Sequence, residues 1–564
     1  MKNIILALFV LLAFTTNAWA SLPGGSIWEV RLSNGSDTNG GGFVVGVSGT
    51  DVSGSATLVV DASNNKLVTS SAHSFVSGDI NKYILVTSGT GWVKGWYQIK
   101  SISGSGAILG RSPAPVGTTG GTYSLYSGID YSQQNAKNTT GSNISTTDAV
   151  ANGTTTLTSA TASFTSNVVG NIIYLAGGSG SLTGGWYEIT AYTNSTTVTL
   201  DRTVASGTGI TMNIGGALRS LTGAAGAAVS KNQVFVKAET TVTTSSSIAF
   251  TQSNLLLRGY TTDRADEGRV TVQATAGSFN VVSFKSGDIR NFVVDCNSQT
   301  GSTGINSTSS TTVVNSIVKN CAVYGIYLSV ANAETAAVYD TEVYGNLTGS
   351  TAAIRMNSST GAAFGELFNN YIHDGEGTAI IGPNGPFIAV NNVIANITGS
   401  GSNGIELRGS PAIITNNTVY NVPQYGIVIW GGGTNVAQNN ILHTIGSDGI
   451  YFSNVGYPSP MSDGNAFFAI TGFNNNGVDG TGSSKLSGTY ENSRDVNFTY
   501  DPFVDAAGGD YSLNSTEGGG SAAKGTGFPS SYTGLSSTAY PDFGAIPAQA
   551  GAGGGGEASF VFGN

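Results

Sequence analysis

The chain has 564 residues and a formal net charge of −10, only 10% of its residues are charged, and 81 of them are glycine. This length exceeds that of an ordinary single domain. The negative charge argues against the basic composition that nucleic-acid binding requires, so we predict no nucleic-acid partner. Abundant glycine with few charges favours strands and turns, with solubility supplied by uncharged polar side chains.

The first twenty residues have the pattern of a secretory signal peptide. Lys2 precedes an apolar run over residues 4–14, and Ala18 and Ala20 place small residues two apart at its end, as at a cleavage site. We expect cleavage after Ala20, leaving residues 21–55 as an N-terminal segment. The alternative is a retained membrane anchor, although the run is short for a bilayer. We expect no transmembrane segment after cleavage and a secreted or cell-surface location, either extracellular or periplasmic.

Two copies of one module follow, over residues 56–128 and 154–216, joined by a polar linker over residues 129–153. The matching positions are Phe75 and Phe164, Trp96-Tyr97 and Trp186-Tyr187, and Arg111 and Arg202. Alternating apolar residues and glycine-rich turns predict a small β-rich module for each copy. Two interpretations of the Trp-Tyr pairs stay open, a platform for stacking sugars or the buried core of the module.

An apolar residue then recurs at intervals of about one solenoid turn. The recurring residues are Val294, Val318, Val343, Ile372, Ile394, Val419 and Leu442, and a second strand repeats in phase at Ile305, Ile326, Ile354, Ile380, Ile405, Ile427 and Ile450. Paired asparagines recur at 369–370, 391–392, 416–417 and 439–440. Stacked turns would let their amides form a hydrogen-bonded ladder.

These strands and asparagine pairs resemble the right-handed parallel β-helix proteins, the pectate-lyase-like architecture of secreted bacterial enzymes. The resemblance implies an all-β fold, with the solenoid over residues 217–515 behind the two modules. Leu218, Leu221 and Ala225 have helical spacing before the first strand, so we expect a helical N-terminal cap. Residues 516–564 are predicted to be a closing segment followed by a glycine-rich tail.

The two cysteines of the chain, Cys296 and Cys321, lie one solenoid turn apart. Adjacent turns are close enough for a disulfide, and an exported protein meets oxidising conditions. Two interpretations stay open, a disulfide or a pair of small buried apolar residues. Neither implies catalysis.

Alternation along the second strand predicts a ladder of outward-pointing side chains on each side of the apolar positions. One column holds Asn306, Tyr327, Arg355, Ile381, Glu406, Val428 and Tyr451, and a parallel column holds Ser329, Asn357, Pro383, Arg408, Trp430 and Ser453. Aromatic rings with amide and charged neighbours suit a carbohydrate, so Tyr327, Asn357, Trp430 and Tyr451 are the predicted substrate-binding residues. The alternative is an ordinary solvated sheet face.

The densest ionisable cluster is His373, Asp374 and Glu376, in the turn between two strands of one coil. Histidine exchanges protons near neutral pH, and a carboxylate pair can act as acid and base. His373, Tyr420 and His443 share one position in the repeat and are expected to line one ridge. The same residue types are also common in turns.

Two reactions fit the predicted catalytic residues His373, Glu376, Glu406, Arg408 and Arg355. A glycoside hydrolase would use Glu406 with Glu376 or with the neighbouring aspartate at position 374. A polysaccharide lyase would use the arginines and His373, with Ca²⁺ as the candidate cofactor held by Asp374 and Glu376. No complete family motif accompanies either set, so the sequence leaves open whether the protein is an enzyme.

Three functions therefore compete. The leading hypothesis is an exported β-helix protein that binds, and as an enzyme depolymerises, an extracellular polysaccharide, with the two modules as accessory domains. The second is a non-catalytic adhesin or surface structural protein. The third is a phage tailspike-like receptor-binding protein, which the predicted signal peptide disfavours.

Overall fold

A computed structural model describes most of the chain between residues 24 and 545. The described residues are 24–43, 52–126, 144–182, 184–262, 264–331, 334–346, 351–358, 363–409, 411–431, 434–453, 461–477, 495–527 and 542–545. The predicted signal peptide, much of the linker and the glycine-rich tail lie outside these residues. Within them, no helix has both the length and the hydropathy needed to cross a bilayer.

The larger part of the chain is a parallel β-solenoid with three strands in each turn, so the predicted all-β parallel β-helix is confirmed. Sheet 1 contains Gln233–Lys237, Leu255–Tyr260, Gly287–Arg290, Thr311–Val314, Thr335–Tyr339, Phe364–Phe368, Phe387–Val390, Ala412–Thr415, Asn435–Gln438 and Met461–Asp463. Sheet 2 contains Val242–Thr244, Val270–Ala274, Phe292–Asp295, Ile317–Lys319, Glu342–Tyr344, Tyr371–Gly375, Val393–Ile397, Thr418–Val422, Ile441–Ile445, Ala466–Ile470 and Val496–Asn497. Sheet 3 contains Ile248–Phe250, Asn280–Phe284, Thr303–Ser307, Tyr324–Val330, Ala352–Ser358, Thr378–Ile381, Ile405–Leu407, Ile427–Ile429, Ile450–Phe452 and Asn475–Gly477.

The recurring apolar residues form continuous buried columns inside the solenoid. The predicted anchors from Val294 to Leu442 pair turn by turn in sheet 2, and those from Ile305 to Ile450 do so in sheet 3. All are at most 1% exposed. Each sheet therefore contributes an inward apolar row, and these rows together make the core.

The two asparagines of each pair have different structural roles. The first of each pair has a positive φ, for example 58° at Asn369 and 55° at Asn416, a backbone conformation that asparagine tolerates better than most residues. The second is buried and forms the predicted ladder, which is confirmed. Its amide contacts run from Asn370 through Asn392, Asn417 and Asn440 to Asn465, at 2.8, 2.9, 3.0 and 2.9 Å.

The first module is a closed antiparallel six-stranded barrel, called barrel 1 below. Its strands are Val52–Val60, Leu67–Ser70, Tyr83–Ser88, Gly95–Ser103, Gly106–Leu109 and Thr119–Leu125, with a 3-10 helix at Ser77–Asp79. The second module, barrel 2, closes in the same way. Its strands are Ser145–Ala151, Thr156–Thr158, Ile172–Ala176, Gly185–Asn194, Thr197–Leu200 and Gly207–Ile214, with a short strand at Ser179–Gly180 and a 3-10 helix at Ser166–Val168.

The matching aromatic residues of the two modules are buried. Trp96 and Tyr97 are 0% exposed, and Trp186 and Tyr187 are 9% and 2% exposed. The duplicated arginines stack on the duplicated tyrosines, at 4.0 Å for Arg111 on Tyr97 and 3.8 Å for Arg202 on Tyr187. Of the two interpretations, the structure therefore favours a structural role, because a buried ring presents no face to a sugar.

The chain divides into two compact units. One contains residues 1–30, 34–50 and 127–220, and with them barrel 2 and most of the antiparallel pair Ile27–Arg31 and Gly42–Phe43. The other contains residues 31–33, 51–126 and 221–564, and so holds barrel 1 and the solenoid. In this second unit the predicted helix is present at Leu221–Ala227, and Gln252 Nε2 donates to the Ala225 carbonyl at its C-terminal end.

The C-terminal segment covers the outer face of sheet 2. Its strands Phe503–Asp505 and Asp510–Leu513 form an antiparallel hairpin, followed by a 3-10 helix at Gly520–Ala522. Phe503, Tyr511 and Leu513 pack with Val393 and Ile441 in one buried apolar cluster. The segment thus shields a face of the solenoid that would otherwise expose apolar side chains.

The structure joins Cys296 and Cys321 in a disulfide. The bridge links the ends of two consecutive strands of sheet 2, Phe292–Asp295 and Ile317–Lys319. Both residues are fully buried. The bond ties two neighbouring turns together, which decides between the two interpretations left open by the sequence.

Candidate functional site

The outer face of sheet 3 has the register that the sequence predicts. Asn306, Tyr327, Arg355, Ile381, Glu406, Val428 and Tyr451 pair in one column across consecutive turns. Ser329 pairs with Asn357 in the parallel column. However, Ile381, Glu406 and Val428 are 4%, 8% and 0% exposed. The predicted exposed surface is therefore interrupted, and its accessible groups fall into two patches.

The patch nearer the N-terminus is built around Tyr327 and Arg355. Tyr327 stacks on Tyr324 with ring centroids 4.8 Å apart, and Arg355 Nη1 donates to the Tyr324 hydroxyl at 3.0 Å. All three side chains are half-buried, and Asn357 lies two residues after the arginine on the same strand. This patch offers aromatic edges and one guanidinium to a ligand.

The second patch begins with a recessed carboxylate. Glu406 Oε1 accepts from Arg408 Nε at 2.9 Å and Nη2 at 2.8 Å, while Oε2 accepts from Asn403 Nδ2 at 3.1 Å. Two arginine nitrogens on one oxygen and an amide on the other fix the carboxylate. Arg408 itself is half-exposed at its side chain and lies at the rim. Glu406 and Arg408, predicted as catalytic, are thus brought together.

An aromatic cluster completes the second patch one and two turns further on. Trp430 lies 6.0 Å from Tyr451 in an edge-to-face arrangement, and Tyr451 stacks on Tyr425 at 4.7 Å. In the described part of the chain the other tryptophans are at most 9% exposed, whereas Trp430 is 44% exposed. The cluster presents a large amphipathic surface to solvent.

His373 lies on a different sheet from these patches. It belongs to sheet 2, where its Nδ1 is 2.8 Å from Asp374 Oδ2 and its Nε2 is 3.0 Å from Glu342 Oε1. Burial lowers the pKa of His373, but the two carboxylates outweigh it and raise the pKa above its ordinary value. The imidazole is therefore held between two acids, and the structure does not place it with Glu406 and Arg408.

The predicted ridge on sheet 2 exists, but the C-terminal segment packs against it. His373, Ala395, Tyr420 and His443 pair in one column. The Tyr511 ring lies 5.6 Å from Tyr420, and the Phe503 ring lies 5.4 Å from His443. The C-terminal hairpin therefore covers this part of the ridge.

The predicted calcium ligands give a weak donor set. Asp374 Oδ1 accepts from Asn396 Nδ2 at 3.1 Å and Oδ2 faces His373, so both of its oxygens already have partners. Glu376 follows the same strand, in the turn toward sheet 3. Among the described residues no three His, Cys, Asp or Glu side chains gather as a metal site would require. The described residues therefore do not fit a bound Ca²⁺.

A cavity of about 580 Å³ lies between barrel 1 and the outer face of sheet 1, and no sequence pattern predicts it. Barrel 1 contributes Lys66, Trp92 and Arg111 to its wall, and the solenoid contributes Tyr339, Asp340, Phe364, Glu366 and Phe368. Both structures belong to one compact unit. The residues that line the cavity come from two segments more than 200 residues apart in sequence. They meet only because barrel 1 docks onto the solenoid.

Arg111, Tyr339 and Glu366, which line this cavity, belong to a largely buried polar network. Arg111 Nη1 donates to the Tyr97 hydroxyl at 3.1 Å, and its Nη2 lies 3.4 Å from Asp288 Oδ2. The Tyr339 hydroxyl donates to Glu366 Oε2. Burial raises the pKa of Glu366, although the hydrogen bond from Tyr339 and the nearby Arg111 act in the opposite direction.

Comparison with known proteins supports the fold. The family model described as "Right handed beta helix region" matches residues 352–517, less than half of the chain. Together with the strand pairing, this match identifies a right-handed parallel β-helix protein. No curated protein sequence matches the chain.

Several solved structures show a distant likeness. The pectate lyase Pel9A is 14% identical with a TM-score of 0.34, and the match covers 59% of this chain and 92% of that one. A catalytic domain of a GH87 alpha-1,3-glucanase is 10% identical, TM-score 0.20, covering 63% and 88%. The tailspike protein gp49 from Pseudomonas phage LKA1 is 12% identical, TM-score 0.15, covering 58% and 60%. Scores this low carry no argument about activity or site.

Proposed function

We propose that this β-helix protein binds an extracellular polysaccharide along the outer face of sheet 3, with the Trp430 cluster as its principal contact. The observation that carries the proposal is the exposure of Trp430, 44% against at most 9% for the other described tryptophans. Exposing so large an apolar ring costs free energy in water, and a sugar face would cover it.

The neighbouring polar groups support a saccharide rather than an apolar partner. Arg408 is half-exposed at its side chain, and Glu406 is fixed between Arg408 and the buried Asn403. The Tyr425 backbone N–H of the aromatic cluster donates to Asn403 Oδ1 at 3.3 Å. Sugar hydroxyls donate and accept hydrogen bonds, so they can accept from the half-exposed Arg408 guanidinium and donate to the Glu406 carboxylate that is recessed behind it. Successive turns of the sheet lie about 4.8 Å apart, so an extended chain of sugars could contact several turns at once.

A binding experiment tests the proposal. The mature protein is titrated against neutral and uronic-acid polysaccharides by affinity electrophoresis and calorimetry. We expect binding to at least one of them, and Trp430→Ala should weaken it about tenfold or more, as central aromatic contacts do. Tyr500→Ala is the matched control, because Tyr500 is 61% exposed on the C-terminal segment. Equal affinity in both variants, or no binding by the folded protein, contradicts the proposal.

Cleavage of the bound chain is the enzymatic form of the proposal, with Glu406 and Arg408 as its candidate residues. A new ultraviolet absorbance from an unsaturated product would indicate a lyase, whereas reducing ends alone would indicate a hydrolase. Either activity should fall at least a hundredfold in Glu406→Gln while binding persists. Polysaccharide binding without either product favours the adhesin. Arg355, His373 and Glu376 remain predicted residues to be tested in the same assay.

A further inference from the structure

We propose a second ligand site, separate from sheet 3: the cavity between barrel 1 and sheet 1 binds a small neutral saccharide. Its volume of about 580 Å³ falls within the range of small-molecule sites and leaves room for roughly one or two sugar rings. The wall comes from two structures, so the site depends on how barrel 1 docks onto the solenoid.

The apolar part of the wall suits the carbon face of a sugar ring. Phe364 and Phe368 line the cavity and are half-buried. Phe368 is held in place because its ring stacks on Tyr339 with centroids 5.6 Å apart and an interplanar angle of 15°. A ring fixed in this way loses little conformational entropy when it contacts a ligand.

The polar part of the wall contains both donors and acceptors. Lys66, Arg111 and Asn369 can donate, while Glu366 and Asp340 can accept. Asp340 lies at the exposed edge of the cavity, where its Oδ1 accepts from Asn369 Nδ2 at 3.1 Å. Hydroxyl groups can serve both kinds of partner, which is the property that distinguishes a saccharide from a purely anionic or cationic ligand.

The charges of the wall favour an uncharged ligand. Two cationic side chains, Lys66 and Arg111, face two acidic ones, Asp340 and Glu366. Arg111 is also paired with the fully buried Asp288, at 3.4 Å. A charged ligand would therefore enter a recess without a net opposite charge to offset its loss of hydration.

The duplication supplies an internal comparison. Beside Arg202 in barrel 2 stands Asp201, whose Oδ2 is 2.7 Å from Arg202 Nη1. At the matching place in barrel 1 stands Gly110, and Arg111 takes its acidic partner, Asp288, from the solenoid. Both arginines stack on the matching tyrosine, but the arginine of barrel 1 takes its counter-charge from sheet 1, and Gly110 lines the cavity.

Ligand-observed NMR and calorimetry on the mature protein test the site with glucose, galactose, N-acetylglucosamine, maltose and cellobiose, and with galacturonate as the anionic comparison. We expect at least one neutral sugar to bind. Glu366→Gln, which keeps the size of the side chain, and Phe364→Ala should each weaken it about tenfold. Glu342→Gln is the matched control, since Glu342 is a half-buried acid on sheet 2. Thermal unfolding shows which variants are folded.

The outcomes separate this site from the one proposed on sheet 3. Binding that survives Trp430→Ala but falls in Phe364→Ala supports the cavity, whatever the result for polysaccharides. Binding that Trp430→Ala abolishes and Phe364→Ala leaves intact assigns the sugar to sheet 3 and overturns the inference. Preference for galacturonate, or no binding of any neutral sugar by the folded protein, also overturns it.

Discussion

Glu188 shows how one substitution between the two module copies changes the titration of the protein. Barrel 1 has the uncharged Gln98 at the matching position, whereas barrel 2 has this carboxyl, and burial together with the nearby Asp201 raises the pKa of Glu188 to about 7. Because its pKa is raised, ionisation of Glu188 destabilises the folded state relative to the unfolded state.

The pH dependence of stability follows from this shift. Between about pH 4.5 and pH 7 the folded state holds a proton on Glu188 that the unfolded state has released, so stability falls as pH rises through this window. Glu188→Gln, which restores the residue of barrel 1, should remove about 1 kcal/mol of this fall, after allowance for partial exposure. Urea unfolding at several pH values measures it. Parallel profiles for wild type and variant would contradict the assignment.

At the scale of single elements, the C-terminal hairpin stabilises sheet 2 through a few aromatic contacts. Phe503 is 3% exposed and lies 5.7 Å from the Tyr511 ring. We expect Phe503→Ala to reduce the free energy of unfolding by about 3 kcal/mol, or to release the hairpin locally. Urea unfolding and limited proteolysis within residues 495–527 distinguish these two effects.

The adjacent residue provides the control for this prediction. Val504 is 57% exposed on the same strand, so Val504→Ala should change stability by no more than about 0.5 kcal/mol. Equal effects of the two substitutions would mean that the hairpin contributes little to the solenoid and that its packing on sheet 2 is incidental.

The elements also show which part of the fold the sequence could predict. Sheets 2 and 3 were recognisable because their inward residues are large and β-branched at a regular interval, and because the asparagine pairs mark each turn. Sheet 1 has an equally buried row that includes Ile289, Val313 and Val338. Its outward residues include Asp288, Arg290 and Glu366, which are buried, and this mixture hides the alternation of a strand.

The candidate sites also differ in how far the sequence could predict them. The outward positions of Trp430, Glu406 and Arg408 on sheet 3 followed from alternation along the strands, a local property of the sequence, whereas the ion pair between Glu406 and Arg408 was found only in the structure. The ridge of His373, Tyr420 and His443 also followed from the repeat. The structure does not bring His373 to Glu406 and Arg408, because these residues lie on two different sheets of the solenoid. The cavity could not be predicted at all, since Arg111 meets sheet 1 only after two distant segments have docked.

At the scale of the whole molecule, barrel 1 and the solenoid are joined by a buried charged cluster. Asp288 is fully buried, and its carboxylate accepts from the Trp96 backbone N–H at 3.2 Å and from Arg290 Nη2 at 2.6 Å, with Arg111 Nη2 at 3.4 Å. Arg290 Nη2 also donates to the Trp96 carbonyl at 2.6 Å. Removal of the acid would leave two buried guanidinium groups without their counter-charge.

We expect barrel 1 and the solenoid to unfold together in the wild type. Asp288→Ala should reduce the free energy of unfolding by about 3–5 kcal/mol and separate the unfolding of the two structures. In a Trp28→Phe, Trp186→Phe and Trp430→Phe background, tryptophan fluorescence follows barrel 1 through Trp92 and Trp96. Far-ultraviolet circular dichroism follows the strands of the whole protein. The control is Glu267→Ala: Glu267 pairs with Lys100 of barrel 1 at 3.7 Å, with both side chains exposed, so its loss should cost less than about 1 kcal/mol. The contrary result is a single unfolding transition for Asp288→Ala with the same free energy of unfolding as Glu267→Ala. It would mean that apolar contacts hold barrel 1 on the solenoid and that the charged cluster serves the cavity.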